Sequence, residues 1–316
     1  MSDVIESDVI ERHALPGRSA PLPAPVHAPA GTPPRRPIRR FRPDPMIAAA
    51  TLLALLLIGA ALFAPLLAPY DPDAQRLLAR LKPPVGFTGA NARYWLGSDQ
   101  LGRDMLSRCL YGLRLTMLIA LTGAAVGLVL GALAGLVAGM VGGFIDALIM
   151  GLCDVMIAVP FTLVALLVIA LAGASTPVLV CVLSLAYWAQ FARLIRAQVL
   201  IIREMPYIEA ARAAGASGMR IAIRHVLPNI VSPVMVMFTL NISNLILLES
   251  ALSFLGLGVQ PPTATLGSMV GLGRDYMATA PWVVASPAIL IMLVSLTVML
   301  LGDWLRDHLD VRLRER

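Results

Sequence analysis

Lysine is almost missing from this chain: among 316 residues and 25 basic side chains, Lys82 is the one that is not arginine. A phosphate-cradling loop of the GxxxxGK[ST] kind needs a lysine at the end of a glycine-rich turn. Lys82 stands instead in LKPPVG, and the motif occurs nowhere, so this chain encodes no nucleotide site of that type. Cysteine is scarce too. Cys109, Cys153 and Cys181 are scattered without CxxC or Cys/His spacing, which argues against a disulfide framework or a zinc site and suits small apolar filler near helices. His13, His27, His225 and His308 are isolated, so no metal cluster is visible and none is expected. No nucleophile–base spacing supports a hydrolase, and no catalytic residue is assigned. Charge is also short, at 14% of residues against about 25% in soluble domains.

What replaces charge is apolar sequence: 58% of residues are hydrophobic and the mean hydropathy is +0.79. Apolar runs of about twenty residues recur, the length that crosses a bilayer as a helix. Six spans are predicted, over 46–68, 115–139, 146–172, 178–200, 230–256 and 282–302, giving an all-α polytopic transmembrane bundle. Pro160 is expected to kink the third. Residues 1–45, rich in proline and arginine, are expected to form a disordered cytoplasmic tail, and 46–316 a transmembrane domain. The proline-broken tail does not suit the start of a cleaved signal peptide. The arginine surplus reads as a topology signal rather than a nucleic-acid surface. Arg35, Arg36, Arg39, Arg40 and Arg42 precede the first span, and further arginines bracket the 201–229 loop and the C-terminus. This distribution places both termini inside and leaves 70–114 and 257–281 as outer loops, although 70–114 carries basic residues of its own.

The second span contains GAAVGLVLGALAGLVAG, in which Gly123, Gly127, Gly131, Gly135 and Gly139 recur every four residues. They form one stripe along a helix and let another backbone approach closely, within the chain or across a subunit interface. Between the fourth and fifth spans lies EAARAAGASGMRIAIRHVLPN, a polar, glycine-broken interruption on the inner side. Pro206 suits a first helical turn, Gly215 a left-handed stop and Ser217 the cap of a second helix over 218–227, with Pro228 opening the next span. Met219, Ile223 and Val226 share one face of that second helix, while Arg220 and Arg224 lie on another. The elbow is thin and fits a partner's groove; the competing reading is an amphipathic helix on anionic lipid.

Glu209-Ala210-Ala211, Gly215 and Leu227-Pro228 resemble the EAA motif of ABC importer permeases. YWLGSDQLGRDMLSRCLYGLRLTM (94–117), ESALSFLGLGVQPPTATLGSM (249–269) and LGDWLRDHLD (301–310) look like the dipeptide, oligopeptide and nickel branch of that family, in its second-permease type. The resemblance covers about residues 46–310. It implies a type I importer permease in a bacterial inner membrane and a coupling helix at the elbow that docks into an ATPase subunit. It also implies four kinds of partner: a second homologous permease, two ATPase subunits that hold ATP and magnesium, an extracytoplasmic substrate-binding protein, and membrane lipid. No cofactor is expected in this chain. The cargo implied is a di- or oligopeptide, with nickel chelates and glutathione-like peptides as alternatives.

Ionisable residues inside spans usually face a bundle interior or a water path. Glu249 with Ser253 in the fifth span, and Asp154 in the third, are the candidates for the translocation path; helix-to-helix support is the competing role. Asn241 and Asn244 suit interhelical hydrogen bonds. A self-contained secondary transporter or channel would need Asp154 and Glu249 as its ion-coupling pair, yet they lie toward opposite ends.

Overall fold

The computed structural model of the chain describes residues 45–309; the expected tail lies outside them except for Pro45, which opens the first helix. Among the described residues there are helices, turns and no strand. The first span is α1 (Pro45–Leu62), continued after Phe63 by the single turn α2 (Ala64–Leu67). The long helix α3 (Met105–Val141) follows, then α4 (Gly143–Ala158), α5 (Phe161–Ala172) and α6 (Thr176–Arg203). The elbow holds α7 (Pro206–Ala213) and α8 (Gly218–Ile221); beyond it come α9 (Leu227–Phe254), α10 (Leu266–Gly273) and α11 (Trp282–Leu309).

Five helices are long and apolar enough to cross a membrane, and a bent pair, α4 with α5, makes a sixth span if counted as one. Here the structure differs from the expected kink. Val159 is extended, as a residue before proline prefers, and the two helices meet at 91°. Packing explains why the pair still counts as one crossing. The glycine stripe of α3 lies along α6 of the same chain, Gly123 near Leu183 and Gly139 near Val199, so both helices run in the same direction. A chain can place two parallel helices side by side only if the segment between them returns to the starting end, and α4 with α5 is that return.

The stripe is what brings the two backbones together. A methyl group at Gly127 would lie 2.9 Å from the Ser184 carbonyl oxygen, and one at Gly139 2.7 Å from Val199 Cβ. Gly131 and Gly135 approach the Trp188 and Ala192 carbonyls more closely still. No side chain fits there, and dispersion between the close backbones replaces the hydrophobic drive that lipid does not supply. By contrast α11 runs antiparallel to α9: Ser243 Oγ donates to the Ser295 carbonyl at 2.9 Å, and Ser232 Oγ to that of Leu309 at 3.3 Å.

Helix α3 begins well before the expected residue 115. Asp104 caps it, accepting from the Ser107 N–H at 2.8 Å and its hydroxyl at 2.7 Å. The polar first turns lie under an irregular cap formed by 70–104. Arg103 pairs with Asp99 at 2.6 Å; Arg108 reaches the Pro72 carbonyl at 3.1 Å and Asp99 at 3.6 Å. Trp282 Nε1 at the head of α11 donates to the Ser98 carbonyl at 3.1 Å. Arg103 and Arg108 are therefore buried ion-pair partners, which accounts for part of the basic content of a segment expected outside.

Candidate functional site

The bundle has two worked ends. At one, the cap and the α9–α10 connection cover the head of α3. At the other sits the elbow, tied to the far end of α3 by Arg203, whose Nη1 donates to the Gly139 carbonyl at 2.5 Å.

Pro206 opens α7, where a missing N–H costs nothing. Ile208 faces inward and is fully buried with Val199, Ile202, Ile221 and Val226, so an apolar seam holds the elbow to the ends of α6 and α9. The opposite face is bare: Glu209, Ala210, Arg212 and Ala213 are exposed and Ala211 is half-buried. The Ala216 N–H bonds back to the Ala211 carbonyl at 3.0 Å and Gly215 turns left-handed at φ +83°, a helix stop that glycine adopts without strain. Open space surrounds Gly215. Ser217 then caps α8, accepting from the Arg220 N–H at 3.3 Å.

The second half of the elbow is not a separate helix. Helix runs without interruption from Gly218 to Phe254, widened to a π stretch over Ala222–Val226. Pro228 offers no N–H to the carbonyl four residues back, and the wider turn absorbs that mismatch; Asn229 Nδ2 meanwhile donates to the His225 carbonyl at 2.6 Å. The five-residue register also changes the faces. Ile221 and Val226 point inward together, whereas Met219 and Ile223, expected beside Val226, are exposed with Tyr207. Leu227 and Pro228 are exposed at the junction.

The membrane-depth candidates separate. Asp154 is on the surface of α4 and pairs with Arg193 of α6. A second pair, which sequence spacing did not reveal, joins the same helices: Arg196 holds Asp146 through two bonds of 2.6 Å. Glu249 is fully buried at the other end of the bundle. One carboxyl oxygen accepts from Ser253 at 2.7 Å, and the other, Oε2, is buried with no hydrogen-bond partner. Thr265, at the start of α10, reaches Ser253 at 3.4 Å, and Thr116 of α3 accepts from the Leu266 N–H at 3.0 Å. Glu249 and Ser253 thus sit where α3, α9 and α10 meet, away from Asp154. Asn241 is buried with its Nδ2 unpartnered, and Asn244 is exposed. Among the described residues no group of three or more His, Cys, Asp or Glu could hold a metal ion.

Residues 127–315, elbow included, match the family model described as binding-protein-dependent transport system inner membrane component. Residues 32–84 match the N-terminal TM domain of oligopeptide transport permease C. The chain is 43% identical over 263 residues to the di/tripeptide transport system permease protein DppC of Pseudomonas aeruginosa, covering 83% of this chain and 87% of that one. Identity to the glutathione transport system permease protein GsiD of Escherichia coli is 39% over 276 residues, 87% of this chain and 89% of the relative. Among solved structures, inward-facing MetNI methionine ABC transporter matches with TM-score 0.52 at 18% identity, covering 65% of this chain and 97% of that chain. Helical architecture, glycine-packed core and matched sequence agree: the chain belongs to the binding-protein-dependent inner-membrane permeases of ABC importers.

Proposed function

We propose that this chain forms half of a translocation path for di- or oligopeptides beside a second, homologous permease, and that its elbow couples the path to separate ATPase subunits. The observation that carries the coupling role is the bare outer face of α7. Glu209 and Ala210 stand exposed before a left-handed Gly215 with nothing near it, while Ile208 fixes the other face to the bundle. Alanine keeps the helix narrow enough to enter a groove, and the buried seam lets a push on it reach α6 and α9. ATP and magnesium belong to the partner subunits, since no phosphate-binding lysine motif exists here. In this reading the elbow and both termini face the cytoplasm, and the cap faces an extracytoplasmic binding protein. Peptide cargo follows the named relatives, one for di- and tripeptides and one for glutathione, itself a small peptide with free carboxylates.

Gly215→Trp tests the coupling. The variant should reach the membrane and assemble, while peptide uptake per ATP hydrolysed falls severalfold. Gly215→Asn, which tolerates the left-handed conformation, should stay near wild type and so separates bulk from backbone strain. Normal uptake by Gly215→Trp would overturn the coupling role. Uptake abolished by an ionophore and indifferent to vanadate would favour a self-contained secondary transporter.

A further inference from the structure

Beside the head of α3 is a cavity of about 300 Å³, the lower end of the size range of small-molecule sites. Three segments build it. Pro72 and Asp73 come from the cap, Thr263 and Ala264 from the α9–α10 connection, and one face of α3 supplies Arg108, Tyr111, Arg114 and the apolar Leu115 and Leu118. The α3 residues recur at three- and four-residue spacing, so they line one side together.

Charge in this corner is unevenly spent. Arg108, its side chain 3% exposed, is held by the Pro72 carbonyl and Asp73 and lies 3.6 Å from Asp99, which also binds Arg103. Arg103 and Arg108 are therefore both paired. Arg114 is left over: it is exposed on the cavity wall and has no hydrogen-bond or ion-pair partner among the described residues. The Tyr111 hydroxyl, one turn away, has none either. Asp73, paired with Arg108, keeps its side chain 45% exposed. A free guanidinium, a free phenol and two leucines suit a small molecule with a terminal carboxylate and an apolar body. Arginine's planar fork matches a carboxylate through two hydrogen bonds, a geometry that lysine lacks.

We infer that this cavity receives a short peptide at the outer mouth, with Arg114 and Tyr111 binding its terminal carboxylate before it enters the path. The inference rests on the peptide-importer reading above. The cavity lies roughly 40 Å along α3 from the elbow, so a defect here is separable from a coupling defect.

The test uses the complete transporter in proteoliposomes, with ATP-driven uptake of one tripeptide as its free acid and as its C-terminal amide. Arg114→Gln and Arg114→Lys are each compared with wild type on the same peptide, so the binding protein's own preference cancels. Arg114→Gln should raise KM for the acid about tenfold, the factor expected for one lost charge-assisted hydrogen bond. The amide should stay within about twofold of wild type, Vmax and basal ATP hydrolysis should be unchanged, and Arg114→Lys should recover part of the loss. If only the acid is transported, the split of KM from Vmax carries the result. Equal losses on both peptides, a fall in Vmax alone, or no change would overturn the site. Absence of ATP-driven peptide uptake by the wild type would overturn the importer reading, and this inference with it.

Discussion

A carboxyl group sealed from water must be met by neighbouring dipoles, and Ser253 supplies the hydrogen bond that Glu249 makes. Ser253 donates to Oε1 and stands beside Thr265, so the side chain joins α9 to α10 where Thr116 also joins α10 to α3. Replacing Glu249 by alanine removes that junction and strands the Ser253 hydroxyl, a loss of about 1–3 kcal/mol. The thermal midpoint of the purified complex should fall, and fall less for Glu249→Gln, which keeps an acceptor for Ser253. An alanine variant as stable as wild type would show that the junction carries no load. Sequence made Glu249 conspicuous because an acid in an apolar run is conspicuous. It did not reveal that the residue is buried beneath α10, because α10 is a glycine-rich helix of eight residues, too short for its pattern to stand out from a loop. Nor did it reveal Asp146 with Arg196, since a pair fifty positions apart leaves no local pattern.

At the scale of elements, the glycine stripe was legible because a strict four-residue repeat has one geometric meaning; its partner was not, because any helix in the bundle could have filled the groove. The structure gives that place to α6. Gly131→Leu should then force α3 from α6, an overpacking cost of at least about 1–3 kcal/mol, and sharply reduce the amount of assembled complex in the membrane. Gly151→Leu on α4, where nothing lies within 4 Å, is the matched control and should accumulate normally. Equal accumulation of the two would show that the close approach is dispensable. The elbow was half legible. Pro206, Gly215 and Ser217 each act within one turn and behave as their chemistry dictates. The join of α8 to α9 depends on how Pro228 is accommodated, and the π stretch that accommodates it rotates Met219 and Ile223 outward.

For the whole molecule, hydropathy located every apolar run, while the order in which the chain crosses had to come from helix direction. Parallel α3 and α6, antiparallel α9 and α11, and the bent return of α4 with α5 put the cap and the elbow at opposite ends. Labelling can assign those ends to sides of the membrane. In a background with Cys181 replaced, Leu78→Cys in the exposed cap should react with an impermeant maleimide in intact spheroplasts, and Met219→Cys on the elbow only after permeabilisation. The reverse pattern would invert the topology and, with it, the assignment of the elbow to the ATPases.

The unbroken helix from Gly218 to Phe254 is, mechanically, a lever arm. Its 37 residues make it roughly 55 Å long, and its compliant places, the π stretch with Pro228 and Pro233, all lie near the base. The remainder has no proline or glycine, so bending would concentrate at the base. A tilt of about 5° at the base sweeps the far tip through about 5 Å at that length. Glu249 rides close to that tip, so a rotation about the base would displace the residues beneath the opposite mouth more than any others on the helix.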